Sequence, residues 1–385
     1  MIYFDNSATT KPSEASLSAM REALSECWGN PGSVHRAGDR AHAVLESARK
    51  SVGASFGIRR PADGSVIFTS GGSEANNLAI LGSVRAKRHS GKAKIFISDG
   101  EHASVEAPVR LLENEGYTVL RVPTRGGRLD LDFIRENADD SVILSAIMLV
   151  NNETGAVYDV KSAADIVRAA SPKAFIHCDA VQAFMKMPVL PKRLGVDSVA
   201  VSSHKVFAPK GAGALYVSAE ALRAKRLVPV IYGGGQEGGL RSGTENVPAI
   251  AAFGAACAEE SAHMAERAEY TAALRERIEE KLPQEIRQNR PEKAHFGIIN
   301  ITLPGIRSET MLNFLSGKDI CVSAGSACSA HSGGVSRALT AFGLDDGDAD
   351  CSLRISLSHL NTEAEADMLC AALGEGVAKL CRKSR

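Results

Sequence analysis

The fold of this 385-residue chain is decided by Ser202-Ser203-His204-Lys205-Val206-Phe207-Ala208-Pro209-Lys210-Gly211, which follows an apolar run at residues 197–201. Such a run is typical of a buried strand. A lysine at the mouth of a buried strand loses much of its hydration, and desolvation favours the neutral amine, which can form a Schiff base. The pattern therefore indicates a nucleophilic role for Lys205. A Ser-His-Lys triplet taken alone, however, is usually part of a surface loop without a catalytic role.

A second predicted strand, residues 174–179, has polar residues at and just after its end, among them Asp179 and Gln182. An aspartate at a strand end is by itself more often a turn former or a helix cap. A carboxylate beside a Schiff-base lysine is, however, what pyridoxal phosphate (PLP) needs, because it keeps the pyridine nitrogen protonated and makes the ring an electron sink. Asp179 and Lys205 together therefore indicate a PLP site.

A candidate phosphate site, Gly71-Gly72-Ser73, lies between a predicted strand at residues 66–69 and a predicted helix. Glycines let the backbone approach a ligand closely, and a helix start offers N–H groups and the positive end of its dipole. Ser73 can add a hydroxyl donor. No lysine follows directly, so this is not a nucleotide-binding P-loop.

The composition is that of an ordinary globular enzyme, with 44% apolar residues, 23% charged residues and a formal net charge of zero. No charge excess points to nucleic acid or to a membrane surface, so we expect direct contact with neither. The N-terminal residues do not have the pattern of a signal peptide, and the longest apolar run, residues 142–150, is too short to span a bilayer. We therefore expect a cytoplasmic protein.

The eight cysteines form no Cys-x-x-Cys pair. We therefore expect neither a zinc site nor a disulfide framework, and no metal, which suits a reducing compartment. Most should be small core residues. Cys328 is different, since it lies in a run of small and polar residues, 323–334, that cannot form a packed core.

Alternating strands and amphipathic helices predict a doubly wound, largely parallel α/β sheet. Ligands bind such sheets at the carboxyl ends of the strands, where Asp179 and Lys205 both fall. The predicted strands are residues 66–69, 94–98, 119–122, 142–150, 174–179 and 198–202, and the predicted helices between them are residues 74–88, 104–115 and 162–170. A long helical stretch with interruptions follows, from Asn246 to about Leu282, then a shorter α+β pattern and a capping box, Thr362-Glu363-Ala364-Glu365.

Together these motifs resemble the fold-type I PLP enzymes of the class V aminotransferase group, and within it the cysteine desulfurases. The resemblance covers nearly the whole chain. It rests on further motifs in the same order, namely Asp5-Asn6-Ser7-Ala8-Thr9-Thr10, Gly29-Asn30-Pro31-Gly32-Ser33-Val34-His35, Glu101-His102, Asn151-Asn152-Glu153-Thr154-Gly155, Gly233-Gly234-Gly235-Gln236-Glu237, Arg241-Ser242-Gly243-Thr244-Glu245-Asn246, Gly325-Ser326-Ala327-Cys328 and Leu353-Arg354-Ile355-Ser356.

The resemblance implies catalytic roles for Lys205, His102 and Cys328. Lys205 would hold PLP and move the α-proton of the substrate, and His102 would stack on the PLP ring and act as an acid–base group. Cys328 would attack the substrate sulfur and keep it as a persulfide, releasing alanine, which requires a mobile and partly exposed thiol. Without the resemblance, His102 reads as an exposed histidine at a helix start.

The resemblance also implies the binding residues. Asp179 would pair with the pyridinium nitrogen and Gln182 with the phenolic oxygen of PLP. Asn152 and Arg354 would bind the α-carboxylate of the substrate, Arg354 through a bidentate fork; taken alone, Arg354 reads as a surface or dimer salt bridge. The expected phosphate ligands are Gly72, Ser73, Ser202, His204 and, from the neighbouring subunit of a homodimer, Thr244.

These roles predict an L-cysteine desulfurase that passes sulfur to an acceptor protein for iron–sulfur clusters or tRNA thiolation. Selenocysteine lyase, another class V aminotransferase and a docking platform for sulfur carriers are the alternatives. A docking platform has no use for Lys205, Asp179 and His102, and an aminotransferase needs no loop cysteine. The acceptor, and the choice between cysteine and selenocysteine, stay open.

The resemblance implies two domains, a large PLP-binding domain at residues 15–255 and a small domain at residues 1–14 and 256–385 that carries the cysteine loop. Three features depart from the family pattern. Gly72-Ser73 stands where Ala-Thr is more common, Ala208 stands where glycine is usual, and residues 331–335 differ from the expected loop.

Overall fold

The computed structural model describes residues 1–87, 93–325 and 335–381. Its strands, in chain order, are β1 (Ile2–Tyr3), β2 (Ser65–Thr69), β3 (Lys94–Ser98), β4 (Thr118–Val122), β5 (Val142–Met148), β6 (Phe175–Asp179), β7 (Ser198–Ser202), β8 (Gly213–Val217), β9 (Arg287–Gln288), β10 (Ile298–Thr302), β11 (Ile320–Cys321) and β12 (Ser352–Ser356). Its helices are α1 (Glu14–Glu26), α2 (Arg36–Ser55), α3 (Gly72–Arg85), α4 (Ala103–Asn114), α5 (Leu131–Asn137), α6 (Val160–Ala170), α7 (Pro191–Leu194), α8 (Ala219–Arg223), α9 (Val247–Lys281), α10 (Ser308–Ser316), α11 (Arg337–Phe342), α12 (Asp346–Asp350) and α13 (Glu363–Leu380).

The central sheet has seven described strands in the order β2-β8-β7-β6-β5-β3-β4. Strand β8 is antiparallel to both of its neighbours, and the other neighbouring pairs are parallel. All residues of β6, β7 and β8 are buried, as expected for strands that are covered on both faces. The predicted α/β fold with a mostly parallel sheet is confirmed. Since β6 and β7 run the same way, their carboxyl ends meet at one edge.

All six predicted strands lie in this sheet, and β3 and β7 have the predicted bounds. The three predicted helices correspond to α3, α4 and α6, although Arg88, the predicted end of the first, lies outside the described residues. Strand β8 was not predicted. At its start, a Cβ atom on Gly213 would lie 2.5 Å from the backbone carbon of Gly71, so only glycine allows this approach to the candidate phosphate site.

The predicted interruptions in the long helix are wrong, because α9 is continuous over 35 residues. Its start is as predicted, with Asn246 as the N-cap residue whose side chain accepts a hydrogen bond from Ala249 N. The polar stretch near its middle stays helical because Arg267 forms ion pairs with Glu259 and Glu260, two turns earlier.

Among the described residues, the apolar core forms three clusters. Two cover the faces of the central sheet and are built from residues between 45 and 257, together with Ile298. The third is built from Ile2, Phe4 and residues between 274 and 377. This division agrees with a large and a small domain, and the bounds at residues 14/15 and 255/256 stay a prediction.

The third cluster contains a small antiparallel sheet in the order β12-β10-β9, and a parallel pair, β1-β11, is linked to it by single bridges. One bridge joins Asp5 to Ser356 and the other joins Ser323 to Arg354. The predicted capping box is present at the start of α13, where Thr362 and Glu365 hydrogen-bond reciprocally.

Candidate active site

A cavity of about 260 Å³ lies at the edge of the central sheet where β6 and β7 end. It contains all of the predicted binding and catalytic residues except Thr244 and Cys328. The lining residues are Ser7, Ala8, Gly72, Ser73, His102, Ser104, Met148, Val150, Asn152, Asp179, Val181, Gln182, Ser202, His204, Lys205 and Arg354. Thr244 is exposed elsewhere, and Cys328 lies outside the described residues.

Lys205 enters the cavity from a 3₁₀ turn, Ser203–Lys205, that directly follows β7. Its Nζ donates hydrogen bonds to the backbone carbonyl oxygens of Ser7 and, at 2.8 Å, of Ala8. The N-terminal segment therefore meets the predicted nucleophile inside the cavity. The motif Asp5–Thr10 was noted in the sequence, but these carbonyl contacts were not predicted.

Asp179 is the last residue of β6, and its carboxylate is held by two donors. Asn76 Nδ2 donates to Oδ2 at 2.7 Å, and the backbone N–H of Val181 donates to Oδ1 at 2.9 Å. Asp179 is 6% exposed. A carboxylate fixed in this way beside Lys205 is what a pyridinium nitrogen requires as a partner.

Three further side chains behind Asp179 were not predicted. Asn76, on α3, accepts through Oδ1 from Nε2 of His177 at 2.9 Å, and His177 Nδ1 lies 2.8 Å from Ser198 Oγ. Burial lowers the pKa of His177 to about 3, so its imidazole is neutral. The sequence contains one signal for a buried hydrogen-bond network here, because Asn76 and His177 are polar residues within a helix and a strand that are otherwise largely apolar.

His102 is the N-cap residue of α4 and lines the cavity. Its Nδ1 accepts a hydrogen bond from Ser104 N at 3.1 Å and lies 2.8 Å from Ser104 Oγ. Burial lowers the pKa of His102, Asp179 opposes this shift and Lys205 adds to it. The cavity therefore holds a neutral imidazole near Lys205 and Asp179.

The predicted phosphate ligands meet at the start of α3. Gly71 caps this helix without a side-chain hydrogen bond, so the first N–H groups are left for a ligand. A Cβ atom on Gly72 would lie 2.9 Å from Val181 Cγ2 and 3.4 Å from Ser202 Cβ. Burial lowers the pKa of His204 to about 4, with Lys205 adding to the shift, so His204 is a neutral donor.

Arg354 lies on β12 and is buried, at 2% exposure, so it is not the surface salt bridge that the residue alone would suggest. Its Nη1 donates to the carbonyl oxygen of Asn152 at 2.9 Å and its Nη2 to Asp5 Oδ1 at 2.8 Å. Its Nε is buried and has no hydrogen-bond partner among the described residues. Such a donor is costly to bury unless a ligand can accept from it.

Gln182 follows β6 and faces the N-terminal segment. Its Nε2 donates to the carbonyl oxygen of Ser7 at 3.0 Å, and its Oε1 accepts from Lys186 Nζ at 3.3 Å. These two contacts set the orientation of the amide, because a carbonyl oxygen needs a donor and an ammonium group needs an acceptor.

These residues fit PLP. An uncapped helix start with a glycine suits the phosphate, Asp179 suits the pyridinium nitrogen, and the unpartnered Nε of Arg354 suits a carboxylate. The role of each residue stays a prediction. Within residues 1–87, 93–325 and 335–381, no group of three or more His, Cys, Asp or Glu side chains could hold a metal ion. In the same part of the chain, no helix combines the length and apolar character needed to cross a membrane.

The described ends of the segment that contains Cys328 are both near Glu153. Ser336 Oγ donates to Glu153 Oε2 at 2.6 Å, and a Cβ atom on Gly325 would lie 3.0 Å from the same oxygen. Glu153 directly follows Asn152, whose backbone carbonyl oxygen accepts a hydrogen bond from Arg354. Both ends of the segment are therefore held beside the cavity.

Comparison with known proteins gives one consistent family. Residues 2–369 match the family described as aminotransferase class-V. The chain is 40% identical to a NifS/IcsS protein homolog of Lactobacillus delbrueckii subsp. bulgaricus, over 97% of both chains. It is 35% identical to cysteine desulfurase IscS 1 of Archaeoglobus fulgidus, over 97% of this chain and 96% of that protein. A solved NifS-like protein superposes with a TM-score of 0.89 at 32% identity, over 98% of this chain and 99% of that one.

Proposed function

We propose, from the premise that this chain belongs to the class-V aminotransferase family and to the cysteine desulfurases within it, that it converts L-cysteine to L-alanine with PLP as cofactor. The observation that carries this proposal is the meeting of Lys205, Asp179, His102 and Arg354 in one cavity. The relatives described above include a cysteine desulfurase and no selenocysteine lyase. They therefore give no support to the alternative that this chain is a selenocysteine lyase.

PLP, when bound, supplies an electron sink that makes the α-proton of an amino acid acidic. For this chain we assign its phosphate to Gly72, Ser73, Ser202 and His204. The support is the uncapped start of α3 and the neutral state of His204. Asp179 and Gln182 would hold the ring.

Lys205 is assigned to hold the cofactor covalently and to move the α-proton of the substrate. The support is its position directly after β7, in the cavity that also holds Asp179 and His102. His102 is assigned to stack on the ring and to serve the reacting groups as acid–base residue.

Arg354 and Asn152 are assigned to the α-carboxylate of L-cysteine. The buried Nε of Arg354 supports this, since a carboxylate would give it the acceptor that it lacks among the described residues. The Asp5 carboxylate, which pairs with Nη2, leaves other N–H groups of the guanidinium for substrate.

Cys328 is assigned to receive the sulfur. Its thiolate would form an S–S bond with the substrate sulfur while the substrate C–S bond breaks, leaving alanine and a persulfide. Acceptors of this persulfide for iron–sulfur clusters or tRNA thiolation remain part of the proposal. The free thiols of the described cysteines suit a cytoplasmic location.

A groove and exposed apolar side chains on the surface support a homodimer. Loops at residues 30–33 and 234–238 line one groove of about 770 Å³. Trp28, Val34 and Tyr232, which lie next to these loops in the chain, are 74%, 102% and 77% exposed. Large apolar side chains exposed next to both loops of this groove support an interface here. Thr244, exposed on its own chain, would then reach the phosphate site of the partner.

Product analysis tests the proposed function. The purified protein with PLP and L-cysteine under reducing conditions should release alanine and sulfide in equal amounts. An amino-group acceptor should not be needed. Pyruvate formation, or alanine that appears only with an added keto acid, would instead indicate a lyase of another type or an aminotransferase.

A further inference from the structure

We infer that Asn76 and Ser104 are positioning residues that determine which ring nitrogen of His102 carries the proton. The inference concerns the hydrogen-bond network and rests on the proposed function only for the role of His102 in the reaction. The Asp179 carboxylate sets the direction of the side-chain hydrogen bonds in this network.

A carboxylate can only accept hydrogen bonds, so the atom of Asn76 that lies 2.7 Å from Asp179 Oδ2 must be its NH₂ group. The reversed amide would place two oxygen acceptors against each other. Asn76 Oδ1 therefore faces His177, and His177 Nε2 must donate to it at 2.9 Å. His177 Nδ1 is then an acceptor for the hydroxyl of Ser198. This agrees with the neutral state of His177.

The second N–H of the Asn76 amide is directed to Ser104 Oγ at 2.8 Å. Ser104 Oγ accepts this bond, so its own proton is available for His102 Nδ1, also at 2.8 Å. The backbone N–H of Ser104 points to the same nitrogen at 3.1 Å. His102 Nδ1 thus faces two donors and carries no proton.

A neutral imidazole with a bare Nδ1 has its proton on Nε2. His102 therefore offers the cavity an N–H donor, and Nε2 cannot accept a proton until the ring changes tautomer. The imidazolium form is disfavoured as well, since a proton on Nδ1 would oppose both Ser104 donors. The charged groups that act on this histidine are Asp179, which favours the imidazolium, and Lys205, which disfavours it. This narrows the acid–base role proposed for His102 to that of a donor through Nε2.

The test is a ¹⁵N NMR spectrum of the holoenzyme labelled at histidine, with His102 identified by loss of its signals in His102→Gln. We expect a protonated Nε2 and an unprotonated Nδ1 at pH 7.5. Ser104→Ala removes the hydroxyl donor to Nδ1 but keeps the backbone N–H, so it should shift the Nδ1 signal, increase the share of the Nδ1–H tautomer and raise the pH at which His102 titrates. Ser104→Thr, which keeps a hydroxyl, should restore the wild-type pattern.

Two further variants make the result specific. Asn76→Leu removes the amide that orients the Ser104 hydroxyl and should change the His102 signals as Ser104→Ala does. Ser83→Ala is the control on the same helix as Asn76. It removes a buried hydroxyl that, in the described contacts, donates only to Ile80 O, and it should leave the His102 signals unchanged.

A wild-type His102 that is protonated at Nδ1, or a Ser104→Ala spectrum identical to wild type, would overturn the inference. If Asn76→Leu does not fold, the comparison of Ser104→Ala with Ser104→Thr still tests the inference. The spectrum needs no substrate, so a failure of alanine formation with the expected spectrum would count against the proposed function alone.

Discussion

Lys205 is held in the cavity by two backbone carbonyl groups of the N-terminal segment, Ser7 and Ala8. Because Lys205 lies in the turn after β7 and not within a strand of the central sheet, removal of its side chain should leave the sheet in place. Its effect should fall on cofactor chemistry, with little effect on folding.

Lys205→Ala should abolish turnover while the circular dichroism spectrum and thermal unfolding stay close to wild type. PLP should no longer be bound covalently, so dialysis should remove its visible absorbance. Lys210→Ala, five residues further on, is the matched control and should keep the absorbance. A Lys205→Ala protein that retains the chromophore after borohydride treatment and denaturation would show that another lysine holds PLP.

Cys328→Ser should separate cofactor binding from sulfur transfer. A serine hydroxyl cannot carry a persulfide, whereas Lys205, Asp179 and Arg354 are untouched. We expect PLP to bind and its absorbance to change on adding L-cysteine, with neither alanine nor sulfide released. Cys321→Ser and Cys351→Ser should keep both products. Near-normal alanine formation by Cys328→Ser would contradict the persulfide mechanism.

The residues that the sequence could identify are those proposed to contact the cofactor, such as Lys205 and Asp179, because each stands at the end of a recognisable strand. The residues that hold them were missed. Asn76 lies 103 positions before Asp179 in the chain, and its contact appears only when α3 packs on the sheet. An asparagine within an apolar helix indicates a buried partner but does not identify it.

At the scale of the element, strand periodicity explains the network around β6. His177 and Asp179 are two residues apart, so they point to the same face of the strand. Both contact Asn76 on α3, which covers that face. Cys178 between them points to the opposite face and belongs to the other apolar cluster. One helix position can therefore hold two strand residues.

The buried His177 should make stability depend on pH. Its pKa is lowered to about 3 in the folded protein, so between about pH 6.5 and pH 3 the unfolded chain binds a proton that the folded chain does not. The contribution of the neutral ring to the free energy of unfolding is therefore fully present above pH 6.5 and is lost as the pH falls towards 3. His177→Gln should reduce the slope of unfolding free energy against pH, by up to about 1.4 kcal/mol per pH unit in the middle of the window between pH 6.5 and 3.

Urea unfolding at several pH values measures this slope. Other buried histidines, such as His295, contribute to the same window and remain in the variant, so only the difference between the proteins is informative. Equal slopes for wild type and His177→Gln would mean that His177 is not kept neutral by burial.

Strand prediction was accurate for β3 and β7 because each is a short apolar run between turn residues. Strand β8 was missed. Its sequence, Gly213-Ala214-Leu215-Tyr216-Val217, begins with small residues after a glycine-rich turn, and nothing local shows that it pairs antiparallel between β2 and β7. The continuity of α9 was missed for a similar reason, since the ion pairs of Arg267 become visible only when the helix is formed.

At the scale of the whole molecule, the cavity joins side chains from the central sheet and from the small antiparallel sheet. Lys205 and Asp179 come from the first, and Arg354 comes from the second. The N-terminal segment links them, because Asp5 pairs with Arg354 while Ser7 and Ala8 accept from Lys205. The site therefore depends on the relative position of both sheets.

A dimer with shared phosphate sites predicts that Thr244→Val weakens PLP retention without changing the fold. Loss of one hydrogen bond to a charged group costs about 1.5–3 kcal/mol, which corresponds to a roughly ten- to hundredfold weaker Kd. Equilibrium dialysis measures the Kd, and analytical ultracentrifugation measures the mass. Thr340→Val, at a position in α11, is the control. A fully active monomer would refute this arrangement.

The packing of Gly72 has a consequence for the order in which mutations can accumulate. A methyl group on Gly72 would lie 2.9 Å from Val181 Cγ2, and a β-branched valine has little freedom to turn away. Gly72→Ala alone should cost about 1–3 kcal/mol of stability, whereas the same change after Val181→Ala should be nearly neutral. The cost of Gly72→Ala therefore depends on whether Val181→Ala comes before it, so the order of the two substitutions matters.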